Sequence, residues 1–309
     1  MKHRDNMNNT KNTRNTRNNK EDLFVNKISV SNWLQDAPRT DWAKDIEEGR
    51  ILHFDCLPFG TSVTEQRLFD ENAQSQKARN ISLDSVGNLK GVSADFVDQE
   101  LLSEYILRFR ALAQQLVISA FPKYREKLRI APTSFRPKNV ESRSQSIRAD
   151  DKRLHVDAFP TRPNYGERIL RVFLNINPYG KPRVWRVGEP FADIAKQFIP
   201  KIKPYSKWQA NLLKTLRVTK SLRSEYDHLM LGIHDGMKMS DSYQSHSDQI
   251  TYNFAPGSVW ICFSDQTAHA VMAGQFMMEQ TYHLPIDSLY SPETSPLSIL
   301  QEMTNKNLI

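Results

Sequence analysis

Four apolar runs near the C-terminal end of the chain are separated by turns of only two or three residues. The runs span residues 249–254, 258–263, 267–272 and 275–284. Neighbouring parallel strands need a crossover of a dozen or more residues, whereas antiparallel strands can be joined by a tight turn. A parallel α/β sheet therefore fits this chain poorly, and the pattern predicts an antiparallel sandwich or barrel.

Further strands are predicted upstream of these runs. Residues 128–131 and 152–159 are predicted to be strands. The apolar run 168–177 is followed, after a Pro-Tyr-Gly turn, by residues 183–187, which suggests a hairpin. Two or three helices then occupy residues 190–239. Strands, a helical segment and again strands indicate one β-sandwich or barrel that is interrupted by a helical insert.

One long amphipathic helix is predicted before the β region. Between Asp95 and about Ala120 the apolar residues recur at helical spacing and form one wide stripe. Ser93 or Asp95 is expected to cap its N-terminus. A stripe of this width predicts a structural role, in which the helix packs against the outside of a sheet.

Most of the positive charge lies in the N-terminal tail. The chain has a formal net charge of +7, and residues 1–20 hold six basic residues against Asp5, which gives +5 there. This segment lacks the apolar residues needed to fold, so residues 1–22 are predicted to be a disordered basic tail and residues 23–309 a single domain. The tail could contact anionic lipid headgroups or nucleic acid, or could simply be solvated. For the protein as a whole we expect no nucleic-acid partner.

The sequence indicates a cytoplasmic protein. It contains no run of about 18 apolar residues, and its N-terminus has no apolar stretch of the kind found in secretory signals. Cys56 and Cys262 lie in apolar runs, which predicts two buried free thiols rather than a disulfide framework. A reducing compartment fits this pattern.

His155, Asp157 and His269 are the candidate metal ligands. His155 and Asp157 are two residues apart on a predicted strand, so their side chains point to the same face. His269 lies on a late strand, which can pair beside an early one in an antiparallel barrel. Two histidines and one carboxylate on one face of an ion leave three positions open, as in the facial triad of non-heme Fe(II) oxygenases. Mn(II) accepts the same ligands, and an ordinary surface or core histidine is the alternative at each position.

Two arginines on predicted strands, Arg171 and Arg183, are candidates for binding the distal carboxylate of 2-oxoglutarate. The planar fork of arginine matches a carboxylate with two hydrogen bonds. Arg171 shares a strand face with one aromatic residue and two amides, which resembles a site lining more than a dry core. Arg183 and Trp185 share a face of the next strand, where a cation and an indole could hold a small dicarboxylate. Exposed surface positions are the alternative for both arginines.

A group of arginines could form an anion-binding rim around the mouth of the predicted site, and a solvated surface is equally compatible with them. They are Arg136, Arg143, Arg148, Arg153 and Arg162. Two histidines of the helical segment, His228 and His234, are six residues apart and do not share a helical face. We predict structural roles for these two histidines.

Long and unusual strings in this sequence resemble the Kdo 3-hydroxylases, which act on 3-deoxy-D-manno-oct-2-ulosonic acid (Kdo). The strings are HVDAFP at 155–160, GERILRVF at 166–173, PRVWRVGEPF at 182–191, EYDH at 225–228, HDGM at 234–237, PGSVW at 256–260 and SDQTAHAV at 264–271. Together they extend the resemblance over roughly residues 50–285.

The resemblance implies a dioxygenase of lipopolysaccharide biosynthesis that depends on Fe(II), 2-oxoglutarate and O2. It would hydroxylate C3 of Kdo attached to a lipid A precursor, and Arg136, Arg153 and Arg162 would be candidates for contacting this anionic substrate. It also implies work at the cytoplasmic face of the bacterial inner membrane, with peripheral contact to that membrane. Whether the protein forms an oligomer stays open.

The same resemblance implies the fold, which would be mainly β with flanking helices. Its core would be a double-stranded β-helix of the jelly-roll or cupin-like kind at about residues 125–285, with a helical insert at about 190–239. The long helix would pack on this core.

The anchor for 2-oxoglutarate departs from the commonest oxygenase pattern. Many such enzymes place an arginine or lysine shortly after the distal histidine, but residues 270–285 contain neither. The run from Asn175 to Arg183 and Trp185 looks like the Jumonji-C arrangement, in which a cation after an asparagine holds the cosubstrate. By this analogy Arg183 is the first choice and Arg171 the second.

Two rival functions fit the same residues. The first is a 2-oxoglutarate hydroxylase of a protein side chain or of another metabolite. The second is a non-catalytic cupin-like module in which the histidines and the aspartate hold a structural ion or a sugar.

Overall fold

The computed structural model describes residues 20–142 and 145–309, and consists mainly of β-sheet flanked by helices. The strands are β1 (Val25–Ile28), β2 (Ile51–Phe54), β3 (Ile81–Leu83), β4 (Leu89–Lys90), β5 (Arg129–Arg136), β6 (Arg168–Asn175), β7 (Arg183–Gly188), β8 (Gln249–Phe254), β9 (Val259–Phe263), β10 (His269–Ala273) and β11 (Met277–Leu284). The helices are α1 (Thr40–Glu47), α2 (Gln99–Ala120), α3 (Phe191–Phe198), α4 (Lys207–Thr215), α5 (Glu225–Met239), α6 (Asp241–His246) and α7 (Pro296–Thr304). The predicted class, mainly β with flanking helices, is confirmed.

Within the described residues the strands form two sheets, and the chain passes repeatedly from one to the other. The larger sheet has eight strands in the order β1-β2-β9-β6-β11-β5-β3-β4, and the smaller has three in the order β10-β7-β8. From β5 onward, β5, β6, β9 and β11 belong to the larger sheet, and β7, β8 and β10 belong to the smaller one. All pairs among these strands are antiparallel, as the short turns predicted.

Strand β6 lies at the boundary between the main core and a cavity. Its residues Leu170, Val172 and Leu174 belong to the core that also contains the buried face of helix α2. Its alternate residues Arg171 and Phe173 point to the opposite face and line the cavity. The period of two along this strand therefore separates apolar packing from polar chemistry.

Helix α2 begins at Gln99, later than the predicted caps would place it. Asp98 is at the N-cap and makes no capping hydrogen bond with its side chain. Ser93 lies next to an isolated antiparallel bridge between Gln74 and Val92, and its N–H donates to the carbonyl of Ala73 at 2.8 Å. Because its apolar stripe faces β3, β5 and β11, the helix covers one side of the larger sheet.

Two predicted pairings differ from the structure. The strand predicted at 152–159 is reduced to one bridge between His155 and His269, because both backbone groups of Leu154 bond to the side chain of Gln244. The predicted hairpin between β6 and β7 does not form. Both edges of β6 are occupied by β9 and β11, so β7 pairs with β8 and β10 in the other sheet.

The segment between β7 and β8 contains helices α3 to α6 and extends to His246. Helix α5 begins with a capping box, in which Ser224 and Asp227 each accept a hydrogen bond from the backbone N–H of the other. The apolar faces of α3 and α5 share a second core with Leu154 and Val156. This packing places α5 beside the segment that carries His155.

The two cysteines differ in exposure. Cys262 is buried and Cys56 is exposed, so the prediction of two buried thiols is wrong for Cys56, which follows the end of β2 in a loop. In the part of the chain that the structure describes, no helix combines the length and the hydropathy needed to cross a bilayer. The predicted basic tail, residues 1–22, lies outside the described residues except for its last three.

The free energy of unfolding is expected to decrease in mild acid because of a buried histidine on β2. His53 hydrogen-bonds to Tyr252 Oη and Ser258 Oγ, and burial lowers its pKa from 6.5 to about 4. As the pH falls through this window the unfolded chain binds a proton that the folded protein does not, which costs roughly 3 kcal/mol at the acid end. Urea midpoints measured against pH should show this loss, and His53→Gln should flatten it. The exposed His246→Gln is the matched control, and equal slopes in all three proteins would contradict the prediction.

Candidate metal centre

Backbone pairing places two histidines from distant parts of the chain side by side. The N–H of His155 donates to the carbonyl of His269 at 3.0 Å, and the N–H of His269 donates back at 2.9 Å. Their ring centroids are consequently 4.7 Å apart. Asp157 is held by its own N–H, which donates to the carbonyl of Ser264 at 2.8 Å. One ligand atom from each of His155, Asp157 and His269 lies within 4.8 Å of the other two.

Hydrogen bonds fix the tautomer of both imidazoles. Nδ1 of His155 lies 2.7 Å from the carbonyl of Arg153, and Nδ1 of His269 lies 2.9 Å from the carbonyl of Thr267. Because a carbonyl oxygen can only accept, each Nδ1 carries the proton and each Nε2 keeps its lone pair. Burial lowers the pKa of both histidines, which keeps the rings neutral. Neutral rings with free Nε2 atoms are the form that binds metal ions.

Asp157 is charged and is oriented by Arg171. Its Oδ1 lies 3.8 Å from Nε2 of His155, and its Oδ2 lies 3.0 Å from Nη2 of Arg171. Burial alone would raise the pKa of Asp157, but Arg171, followed by the two histidines, lowers the pKa to a net value below the usual one. The carboxylate therefore stays ionised and has one oxygen directed towards the histidines.

Arg171 belongs to a largely buried row of alternating charges. Its Nη1 lies 3.3 Å from Oε1 of Glu279 on β11, and Nη2 of Arg136 lies 2.8 Å from Oε2 of the same carboxylate. Burial raises the pKa of Glu279, but Arg136 and Arg171 lower it to a net value below the usual range. The row Arg136–Glu279–Arg171–Asp157 thus ends on a candidate metal ligand, and it holds that ligand in one orientation.

The candidate ligands open into a cavity of about 420 Å³. The indole of Trp185 stacks on the ring of His269 with centroids 5.1 Å apart, and Phe173 meets the indole edge-on at 5.0 Å. Among the described residues that line the cavity, cationic side chains outnumber anionic ones. The cationic ones are Arg79, Arg136, Arg148, Arg171, Arg183 and Lys238, and the anionic ones are Asp151, Asp157 and Glu279. A cavity with this excess of positive charge suits anionic ligands.

The residues predicted to bind 2-oxoglutarate are only partly brought together. Arg171, Arg183 and Trp185 line the cavity. Asn175 is not among the lining residues, because its amide donates to the carbonyls of Lys181 and Phe254 and shapes the turn after β6.

The arginines predicted to contact substrate are also divided. Arg136 lines the cavity beside Glu279. Arg153 is outside the lining, since it bonds to the carbonyl of Lys238 and pairs with Asp241. Arg162 is exposed and is also outside the lining.

The remaining arginines of the predicted rim lie apart from these. Arg148 lines the cavity and is paired with Asp235, and Arg143 lies outside the described residues.

Several charged or titratable residues of the cavity were not predicted from the sequence, among them Arg79, His234, Lys238 and Glu279. His234 and Lys238 are four apart on α5, a spacing that puts both on one helix face. That spacing is the available signal, whereas the spacing of six between His228 and His234 carries none. Arg79 lies in a loop that carries no pattern of its own.

A buried ion pair fixes the loop that leads to His269. Nε of Arg168 lies 2.7 Å from Oδ2 of Asp265, both side chains are at most 1% exposed, and Asp265 also accepts the N–H of Ile169 at 3.1 Å. Asp265→Ala is expected to lower the free energy of unfolding by about 3–5 kcal/mol, because it leaves a buried guanidinium without its carboxylate. Urea unfolding measures this loss, with the exposed Asp287→Ala as control. A loss no larger than that of the control would contradict the prediction.

Comparison with known proteins shows the family. Residues 30–307 match the family described as 3-deoxy-D-manno-oct-2-ulosonic acid (Kdo) hydroxylase. Two similar solved structures are the apo form of the Kdo hydroxylase KdoO, a non-heme Fe(II) alphaketoglutarate dependent dioxygenase, and its complex with alphaketoglutarate and Fe(III). Each is 41% identical to this chain, with a TM-score of 0.88 over 93% of this chain and 97% of the other. The cobalt(II) complex of the same enzyme is 42% identical, with a TM-score of 0.88 over 92% and 97%.

A search of curated proteins found no match. The family match covers most of the chain, and the similar solved structures align with it over nearly their whole length. These findings confirm the resemblance carried by the sequence strings, and the chain belongs to the Kdo hydroxylase family.

Proposed function

We propose that this protein is a dioxygenase that uses Fe(II), 2-oxoglutarate and O2 to hydroxylate C3 of Kdo on a lipid A precursor. The observation that carries the proposal is the convergence of His155, Asp157 and His269 in a cationic cavity. Membership of the Kdo hydroxylase family supports the substrate, and the complex of KdoO with alphaketoglutarate (2-oxoglutarate) and Fe(III) supports the cofactors.

His155, Asp157 and His269 are the proposed ligands of the iron, and their chemistry fits it. The two Nε2 lone pairs and one charged carboxylate oxygen form the two-histidine, one-carboxylate set that Fe(II) oxygenases use. When bound, iron supplies the redox chemistry that couples decarboxylation of 2-oxoglutarate to hydroxylation. The protein holds the imidazoles in the required tautomer, and Trp185 and Phe173 form an apolar wall beside them.

Arg183 is the proposed anchor for the distal carboxylate of 2-oxoglutarate. It is buried, it lines the cavity, and its Nη1 donates to the carbonyl of Gly274 at 3.0 Å, which fixes the direction of the guanidinium. It precedes Trp185 by two residues on β7, so both side chains face the cavity beside His269. A fixed guanidinium can bind a carboxylate without losing much side-chain freedom.

Arg171 is proposed to orient a metal ligand and not to bind 2-oxoglutarate. Its Nη2 is 3.0 Å from Oδ2 of Asp157, so a carboxylate bound to it would lie beside the metal and not at the far end of the cosubstrate. Partners of ligating carboxylates set the direction of the ligand and tune the affinity for the metal. Arg171 and Glu279 are therefore positioning residues in this proposal.

The same proposal includes the fold type, a candidate substrate contact and the place in the cell where the enzyme works. The alternation of β5 to β11 between two sheets supports a double-stranded β-helix in one domain that spans residues 23–309, with α2 packed on it and α3 to α6 inserted. Arg136 is a candidate for substrate contact because it lines the cavity. We further propose that the enzyme works at the cytoplasmic face of the inner membrane, where its lipid substrate is exposed.

The test of this function combines the purified protein with Fe(II), ascorbate, 2-oxoglutarate and a Kdo-bearing lipid A precursor. Succinate release and a gain of one oxygen by the lipid, measured by mass spectrometry, are the expected results, and the same lipid without Kdo is the control. Succinate with a peptide or another metabolite, but not with Kdo, would favour the first rival function. No succinate with any acceptor would favour a non-catalytic binding module.

A further inference from the structure

Lys238 is a buried cation of the cavity that is only partly satisfied. Its side chain on α5 is 2% exposed, and Nζ donates to the carbonyl of Arg148 at 3.1 Å. Among the described residues no carboxylate lies within ion-pair distance of it. An ammonium group has three protons to donate, and burying a charge without a counter-charge is costly. Lys238 therefore has the capacity to bind an anion inside the cavity.

Arg79 is a second cation at the same cavity, and in the described part of the chain it also has no carboxylate within ion-pair distance. It is exposed, it lies in the loop before β3, and its side chain makes no hydrogen bond or ion pair within the described part of the chain. The next residue, Asn80, fixes this loop by donating to Ser134 Oγ at 2.6 Å. Arg79 and Lys238 line the same cavity. Burial lowers the pKa of Lys238, the carboxylates of Asp151, Asp157 and Asp150 raise it, and the charge of Arg79 lowers it, which agrees with that placement.

The other cationic side chains around this part of the cavity already have carboxylate partners. Arg136 and Arg171 share Glu279, and Arg148 is paired with Asp235. Asp151, Asp157 and Asp150 act on Lys238 through their charge. Among the described residues, however, none of them lies within ion-pair distance of Lys238 or Arg79, and Asp157 is already paired with Arg171. Two like charges that line one cavity are stabilised when an anion binds to both.

Lys238 is close to the candidate metal centre. His234 lies one helical turn before it on α5, and the ring of His234 meets the ring of His155 edge-on at 5.5 Å. The helix face that carries Lys238 is therefore the face that borders the metal ligands. An anionic group held by Lys238 and Arg79 would place the rest of its molecule beside the reacting centre.

We infer that Arg79 and Lys238 form an anion subsite that binds carboxylate or phosphate oxygens of the acceptor, separate from the arginine that binds 2-oxoglutarate. This inference rests on the proposed function, because it assigns the subsite to the acceptor of that reaction. A Kdo-bearing lipid offers both kinds of anion, the carboxylate of the sugar acid and the phosphates of the lipid.

The test measures binding of two probes to the enzyme loaded with Co(II) and 2-oxoglutarate, by titration calorimetry. The first probe is the methyl glycoside of Kdo, which has the carboxylate and no phosphate, and the second is a lipid A precursor without Kdo, which has the phosphates and no sugar acid. Arg79→Met and Lys238→Met are each expected to weaken at least one probe about tenfold, as for one charge-assisted hydrogen bond. If only the affinity for the first probe falls, the subsite binds the carboxylate. If only the affinity for the second probe falls, it binds phosphate.

Controls separate this subsite from general charge effects and from misfolding. Arg125→Met removes an exposed arginine outside the cavity and should leave both affinities unchanged. Arg79 is exposed, so Arg79→Met keeps the test decisive even where Lys238→Met destabilises the fold, and it should not change the affinity for 2-oxoglutarate. The inference would be overturned if Arg79→Met bound both probes as tightly as the wild type does. It would also be overturned if Arg125→Met lost as much affinity for the probes as Arg79→Met.

Failure of the proposed function has a different signature. In that case the wild-type enzyme itself would release no succinate in response to a Kdo-bearing lipid. Failure of the subsite alone would leave wild-type hydroxylation intact, with unchanged probe affinities in the Arg79 and Lys238 variants.

Discussion

His269→Ala is expected to abolish hydroxylation and to weaken metal binding by more than about 100-fold, since even partners of metal ligands alter affinity or activity by about 10–100-fold. The substitution removes one of the three converging ligand atoms and leaves Trp185 without the imidazole on which it stacks. The two remaining ligands are expected to bind the metal more weakly, because water would take the position of the lost imidazole. Titration calorimetry with Co(II) measures the loss directly, and succinate release measures its consequence.

Two controls make this result specific to metal binding. His246→Ala removes an exposed imidazole of α6 and should bind Co(II) as the wild type does. Thermal unfolding of both metal-free variants shows whether the fold is intact. A folded His269→Ala protein with wild-type affinity for Co(II) would show that His269 is not a ligand.

The strands of the C-terminal half could be predicted from the sequence, except at 152–159, because their signals are local. The four C-terminal runs became β8 to β11 almost at the predicted residues, since alternating apolar side chains and glycine or proline turns act within a few residues. Which strands pair could not be predicted in the same way. The separation of β6 from β7 depends on β9 and β11 occupying both edges of β6, and these strands are far away in the chain.

The candidate site shows the same division between local and distant information. His155 and Asp157 could be found because a spacing of two fixes their common face. His269 could be added because a late strand can pair beside an early one in an antiparallel barrel, and the family strings then supported the set. The partner of Arg171 could not be found, because Glu279 lies on β11 and meets Arg171 only when β11 pairs with β6. Helical spacing puts His234 and Lys238 on one face, but only the packing of α3 and α5 decides that this face borders the metal ligands.

Arg183→Ala is expected to weaken the binding of the cosubstrate, and Arg171→Ala is expected to weaken the binding of the metal. If Arg183 binds the distal carboxylate, its removal should raise the apparent KM for 2-oxoglutarate about 100-fold, since truncating one partner of a buried charge pair costs about 2–5 kcal/mol. The affinity for Co(II) should stay unchanged, because the proposed role of Arg183, whose guanidinium is directed by the carbonyl of Gly274, is to hold the cosubstrate and not a metal ligand. If Arg171 orients Asp157, its removal should weaken Co(II) binding by about 10–100-fold.

The two arginines can be distinguished because each variant serves as the control for the other. Titration with Co(II) in the absence of 2-oxoglutarate measures the affinity for the metal alone. The KM for 2-oxoglutarate at saturating Fe(II) reports the effect on the cosubstrate alone. The mutual contacts of Arg171 with Asp157 and Glu279 predict that its loss also destabilises the fold, so both measurements are made below the unfolding temperature of each variant. A large rise in KM for Arg171→Ala together with none for Arg183→Ala would reverse the assignment. The distal carboxylate would then lie beside Asp157, and the cosubstrate would have to bind in a different direction across the cavity.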